Sequence, residues 1–379
     1  MIFNIIIICI IIIFALLAVI DGLFLKNKYN LFTKFKEGFE VMGPIALGMV
    51  GIMTLVPFIG KALEPIFSFL FGNSGIDVSM GIGIFLALDM GGYQLALDLA
   101  ANGEIARLSG LIYASMMGAT IIYSIPVGLS IVKKESRDAF AKGILYGVIG
   151  VPIGTFIGGL FLNIEFKTLI LNLVPGIIVS LVLVILLVFF TKATIKGFNI
   201  FAKLITCLSY FGLFSGLINE FVLQNLDLAG YINASTIPYF KDLASLYDGV
   251  RIAGGVALIL CGTLPLVYVL TKVLRRPLKH IGDKIGFSEE AMVGFLATSA
   301  NNIATFTNLH KMSEREQIVN IAFSVGASWV IGDHLAFVAS NDASMVGIVI
   351  LAKLSAGIFG VLIALLFTRK SKSKVIKND

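Results

Sequence analysis

The feature that most constrains this chain is the recurrence, from one end to the other, of apolar runs about 20 residues long. A helix of that length rises ~30 Å, the thickness of a bilayer's hydrocarbon core, and in lipid only helices and closed barrels satisfy their own backbone groups. Residues 4–20 form such a run without a single charge. No basic stretch precedes them and no small-residue cleavage pattern follows, so they predict a first transmembrane helix and not a removable signal. Further spans are predicted at about 40–60, 108–132, 143–163, 168–191, 198–224, 249–272, 317–340 and 345–367, about nine in all. With 58% of residues hydrophobic and 14% charged, no length is left over for a soluble domain.

Two more apolar segments, about 77–101 and 287–309, are broken in the middle, one at Asp89 to Gly92 and the other at Ser299 to Asn302. Each can be a full span or a re-entrant hairpin. Loop charge separates the options, because cytoplasmic loops carry an excess of Lys and Arg. With two re-entrant segments and the N-terminus outside, 23 of the 29 basic residues fall inside. Five (Lys61, Arg107, Lys167, Lys241, Arg251) then fall outside, with Lys353 in the membrane. With two full spans the division is 15 to 13. The first topology is therefore expected, with the clusters Lys26 to Lys36, Lys133 to Lys142, Arg275 to Lys284 and Arg369 to Lys377 cytoplasmic. The formal net charge of +6 is thereby a matter of topology, and no nucleic-acid partner is implied. Cys9, Cys207 and Cys261 lie far apart in apolar segments, so neither a disulfide nor a metal site is expected.

The chain also contains its own half-copy. Gly38, Gly43, Ala46, Leu47, Gly51, Leu55, Val56, Lys61 and Leu63 recur as Gly249, Gly254, Ala257, Leu258, Gly262, Leu266, Val267, Lys272 and Leu274. With small gaps, Phe85-Leu-Ala recurs at Phe295-Leu-Ala and Gly118-Ala at Gly326-Ala. Each copy reads span, broken segment, span, span, and the expected topology runs the copies in opposite directions. Inverted repeats with broken helices hold substrate near the midplane in many secondary transporters. The predicted fold is an all-α polytopic membrane protein of about nine transmembrane helices and two re-entrant or broken hairpins, built from an inverted-topology repeat. Its expected parts are an N-terminal helix and cytoplasmic loop (1–36), repeat one (37–163), linking helices with an external loop at 225–248 (164–248), repeat two (249–368) and a basic cytoplasmic tail (369–379).

A carboxylate at membrane depth is costly and is read as a functional site by default. Asp89 stands beside Gly91 and Gly92, which release the helix and free carbonyls, an environment suited to a cation. A residue capping the next half-helix is the plainer alternative. The second break offers Thr298, Ser299, Asn301 and Asn302, able to hydrogen-bond a hydroxyl or an amide, or to satisfy one another. Interruptions are also expected at Gly118 to Pro126 and at Gly326 to His334. There Asp333, with Trp329 one turn earlier, makes a plausible ammonium site through charge and cation–π attraction, and His334 lies next to it. An interfacial anchor is the simpler reading of a lone Trp. Lys353, deep in the last span, is expected to pair with Asp333 or Asp89, with a role as a coupling or gating charge as the alternative. An intramembrane aspartyl protease would need Gly-x-Gly-Asp where Val330-Ile-Gly-Asp stands, so no enzyme and no catalytic residue is expected.

Asp89-Met-Gly-Gly-Tyr-Gln-Leu-Ala, Gly118-Ala-Thr-Ile-Ile-Tyr-Ser-Ile-Pro-Val, Ala300-Asn-Asn-Ile and Gly332-Asp-His-Leu-Ala-Phe together resemble the EutH family of bacterial ethanolamine transporters, through nearly the whole chain. Tyr93-Gln94 departs from members with two aromatic residues there, and Ser328-Trp329 is a variable place. The resemblance implies a permease of the bacterial inner membrane, taking up ethanolamine without a cofactor to feed a cobalamin-dependent lyase. Its expected substrate site comprises Asp89, Gly91, Gly92, Tyr93, Gln94, Ser299, Asn301, Asn302, Trp329, Asp333 and His334. Nothing in the sequence shows ion coupling, so facilitated diffusion is preferred. A carrier for choline or an amino acid, or a cation channel, stays open, and a homodimer is compatible with this construction.

Overall fold

The computed structural model describes residues 2–72, 74–231 and 237–368, and the expected basic tail at 369–379 lies outside them. Helix is the only regular structure among the described residues. Among the described residues eight helices are long and apolar enough to cross a membrane, so the chain is an all-α polytopic membrane protein. In order, α1 (Ile2–Phe24) and a short amphipathic α2 (Leu31–Glu40) lead into α3 (Met42–Phe71). The first broken segment follows as α4 (Ser79–Phe85) and α5 (Tyr93–Leu99). Then come α6 (Gly103–Ile131), α7 (Arg137–Gly159), α8 (Phe166–Phe189), α9 (Thr191–Ile218) and the 40-residue α10 (Leu246–Ile285). The second broken segment is α11 (Glu289–Ala300) and α12 (Asn302–Asn308), before α13 (Glu314–Ala327), α14 (Asp333–Asn341) and α15 (Val346–Phe367).

Two expectations change. The span predicted at about 317–340 is two helices, α13 and α14, parted at Ser328 to Gly332, which leaves eight helices of spanning length among the described residues where nine were expected. Its counterpart α6 was expected to be interrupted at Gly118 to Pro126, but it continues through wide π-helical turns at Leu108–Gly118 and Thr120–Ser124. A π turn keeps the backbone hydrogen-bonded i to i+5, so the helix runs on without opening.

Contacts sort the helix ends into two sets. At one, Lys61 pairs with Asp242 (2.8 Å), Arg107 with Glu104 and Asp342 (2.6 and 2.8 Å), and Asn4 holds Ser344 and Gly347 through both ends of its amide. At the other, Lys142 pairs with Glu314 (2.8 Å), and the buried Asp21 accepts from the amides of Tyr29 and Leu31.

Each broken segment doubles back. Asp77 Oδ1 accepts from Ser79 N and Oδ2 from Ala101 N (2.9 and 2.8 Å), tying the start of the first segment to its end. In the second, Thr298 Oγ1 donates to Thr305 Oγ1 (2.8 Å), which donates to Gly294 O (2.9 Å), so α11 and α12 lie antiparallel. Glu316 closes that segment's base, with Oε1 accepting from Ser288 N and Oε2 from Ser313 N.

Glycines set the closest approaches, as expected where helices pack without a hydrophobic force between them. A Cβ on Gly150 or Gly154 of α7 would lie 2.4 Å from a carbonyl of α15, Ala356 O or Ala352 O. A Cβ on Gly51 of α3 would lie 1.6 Å from Ser209 O of α9, and one on Gly262 of α10 would lie 2.2 Å from Ile11 O of α1.

Candidate functional site

The first hairpin ends in an open turn. Leu86 and Ala87 are extended, Ala87 O accepts from both Met90 N and Gly92 N (3.0 Å each), and Gly91 sits at φ 84°. A side chain at Gly91 would be strained there and would also meet Ile52 Cγ2 at 2.5 Å, while one at Gly92 would meet Ala87 O at 2.6 Å. These glycines permit the turn that presents Asp89. The tip presses on α6, where a Cβ on Gly118 would lie 2.0 Å from Leu86 O.

The second hairpin joins the break between α13 and α14. Trp329 N donates to Thr298 O (3.2 Å) and Ile331 N to Ser299 O (2.9 Å), so backbone freed by the broken helix is satisfied by the hairpin. Trp329 pays for this with φ 57°, a left-handed conformation rare for a bulky residue. Its ring stands edge-on to Tyr123 (5.3 Å) and lies 4.8 Å from the ring of His334, with Ala87, Ala119 and Met90 packed alongside. Tips, break and α6 therefore converge.

Asp89 and Asp333 are both half-buried at this place. They lie within Coulombic reach of one another, and Tyr123 within reach of both. Among the described residues, neither carboxylate joins an ion pair. Lys353 does not make the expected pair with either. Its Nζ donates to Ser115 O (2.6 Å) and meets His334 Nδ1 at 3.2 Å. With Lys353 as an ammonium, which only donates, Nδ1 is the acceptor and the neutral ring carries its proton on Nε2.

The remaining predicted residues divide. Ser299 Oγ donates to Phe295 O (3.0 Å) and Asn301 Oδ1 caps α12 by accepting from Ile303 N (2.9 Å), so these two serve the hairpin itself. Asn302 is fully buried; its Nδ2 donates to Ser124 Oγ (3.0 Å), and its Oδ1 has no partner among the described residues. Gln94 Oε1 is likewise buried and unpartnered, and Tyr93 stands edge-on to Phe337 of α14 at 6.3 Å. Sequence reasoning missed Tyr123, Ser124 and Ser115 as individual contributors. The first two lie in the motif at Gly118, which was the available signal; Ser115 acts through its carbonyl, which has none.

Broken helices meeting at half-buried carboxylates inside a multi-pass helical bundle define the protein's class, a membrane protein with a polar interior site of the kind permeases use. The family model of EutH, the ethanolamine utilisation protein, matches residues 3–367, and the chain belongs to that family. It is 38% identical over 98% of its length to a probable ethanolamine permease of Listeria monocytogenes, covering 96% of that protein. It is 34% identical to a probable ethanolamine permease of Escherichia coli and 33% identical to one of Salmonella typhimurium, in each case over 91% of this chain and 88% of the relative. No solved structure matches.

Proposed function

We propose that this protein is a permease, and not an enzyme, that takes up ethanolamine as a protonated amine across the bacterial cytoplasmic membrane by facilitated diffusion. One observation carries the reading: Asp89 and Asp333, neither in an ion pair among the described residues, both lie within Coulombic reach of Tyr123, whose ring meets that of Trp329. Ethanolamine at neutral pH is a small ammonium with a hydroxyl two carbons away. The carboxylates and aromatic faces suit the cation, and the unpartnered Asn302 Oδ1 suits a donated hydroxyl proton. The names of the relatives point the same way.

The transport frame in this reading is an inverted repeat. The first hairpin enters from outside and the second from the cytoplasm, with the N-terminus outside. Supporting it, α3 and α10 run oppositely between the two sets of helix ends, and the hairpins are tied at opposite sets, by Asp77 and by Glu316.

The test is uptake of labelled ethanolamine into proteoliposomes, in mildly acidic buffer that keeps the amine protonated and slows its unaided crossing. Saturable uptake well above that of empty liposomes is expected, with counterflow, which a channel would not give. Rates equal to those of empty liposomes would sink the proposal. Choline in tenfold excess is expected to leave most uptake intact; full displacement would reassign the substrate.

A further inference from the structure

Lys353 is a charged group of the interior that an ammonium site does not need. It is 1% exposed, yet both of its polar neighbours, Ser115 O on α6 and His334 Nδ1 on α14, are neutral acceptors. Asp89 lies within reach of its field but outside bonding distance. A buried lysine kept for support normally sits on a carboxylate, because a charge in lipid without one is costly. Here the ammonium cancels negative charge without occupying the carboxylate oxygens. No cation among the described residues occupies them.

The charged groups of this interior are few. Counted as two carboxylates and one ammonium, Asp89 and Asp333 bring two negative charges and Lys353 one positive, and with Nδ1 accepting from that ammonium His334 is neutral. One negative charge is left over, which a singly charged amine completes. We propose that Lys353 sets the valence of the substrate. It stands as the permanent first cation, so the site accepts a monoamine and rejects a diamine. Without it the same pair of carboxylates becomes a site for a short dication. This deepens the ammonium reading above and rests on it.

The experiment is equilibrium binding to the full-length protein in detergent, with labelled ethanolamine and labelled 1,3-diaminopropane, a diamine doubly protonated at neutral pH. Folding of each variant is checked by size exclusion and thermal unfolding. The wild type is expected to bind ethanolamine and to be little displaced by a hundredfold excess of the diamine. Lys353→Met is expected to gain diamine binding, so that the diamine displaces labelled ethanolamine at comparable concentration. The double variant Lys353→Met with Asp333→Asn has one surplus negative charge again. It is expected to bind ethanolamine and to lose the diamine, and it decides the matter alone if Lys353→Met does not fold. A folded Lys353→Met protein with wild-type preference would overturn the inference, as would a folded double variant blind to ethanolamine, or a wild type that binds the diamine as well as ethanolamine. A wild type that binds no ethanolamine at all would instead overturn the substrate reading.

Discussion

Asp89 shows how one residue acquires a role from its backbone. Gly91, at φ 84°, lets the chain turn where a helix would have carried the carboxylate past the centre. The side chain is half-buried and joins no ion pair among the described residues, so its charge is available. Asp89→Asn keeps the shape and removes the charge. A charge-assisted hydrogen bond contributes about 1.5–3 kcal/mol, so the apparent affinity for ethanolamine should fall roughly ten- to hundredfold while the protein still reaches the membrane. Concentration-dependent uptake, set against the amount of protein in isolated membranes, checks this; unaltered uptake would leave Asp89 as a turn residue. Asp89 and Asp333 were legible in the sequence because a charge in an apolar run has few innocent explanations. Ser299 and Asn301 were legible only as polar, since composition cannot tell an amide that binds a ligand from one that caps α12. The partner of Lys353 was not legible, because it is a backbone carbonyl, which every residue has.

At the scale of elements, the sequence marked four places where a helix should open, and three of them do. The second copy breaks at Ser328 to Gly332 because the carbonyls of Thr298 and Ser299 are there to receive the freed amides. In the first copy the hairpin tip brings Leu86 O onto Gly118 itself, and α6 stays helical beyond it through π turns. The difference lies in where each hairpin tip lands, which no local pattern encodes. Packing supports extending the proposed repeat beyond its sequence match. Gly51 and Gly262 occupy matching places in the two copies, and one receives α9 while the other receives α1. We propose that α1 and α9 are counterparts too, with α8 joining the halves. If the halves are inverted, the two hairpin bases face opposite sides of the membrane. In a protein with Cys9, Cys207 and Cys261 replaced, a single cysteine at the exposed Ala101 should react with an impermeant maleimide added to intact cells, whereas one at the exposed Glu290 should react only after permeabilisation. Labelling of both from outside would refute the inversion.

For the whole molecule, the question is what moves with the substrate. With its carboxylates ionised and Lys353 protonated, the proposed site has one surplus negative charge, and binding an ammonium brings it to neutrality without a second cation. The seven described ion pairs have no member at the junction of the hairpin tips, so no charged latch among them must break as access alternates. A carrier of this kind transfers one positive charge per cycle, whichever conformational step moves it. Moving that charge through 100 mV is worth about 2.3 kcal/mol, and at about 1.4 kcal/mol per tenfold this supports a concentration ratio of roughly fiftyfold. Proteoliposomes given a potassium diffusion potential, negative inside, should therefore accumulate labelled ethanolamine by a few tens of fold and release it when the potential is collapsed. Uptake that equilibrates at equal concentrations regardless of potential would mean that charge does not cross with the amine. Exchange for a proton, or passage of the neutral amine, would then replace facilitated diffusion of the cation.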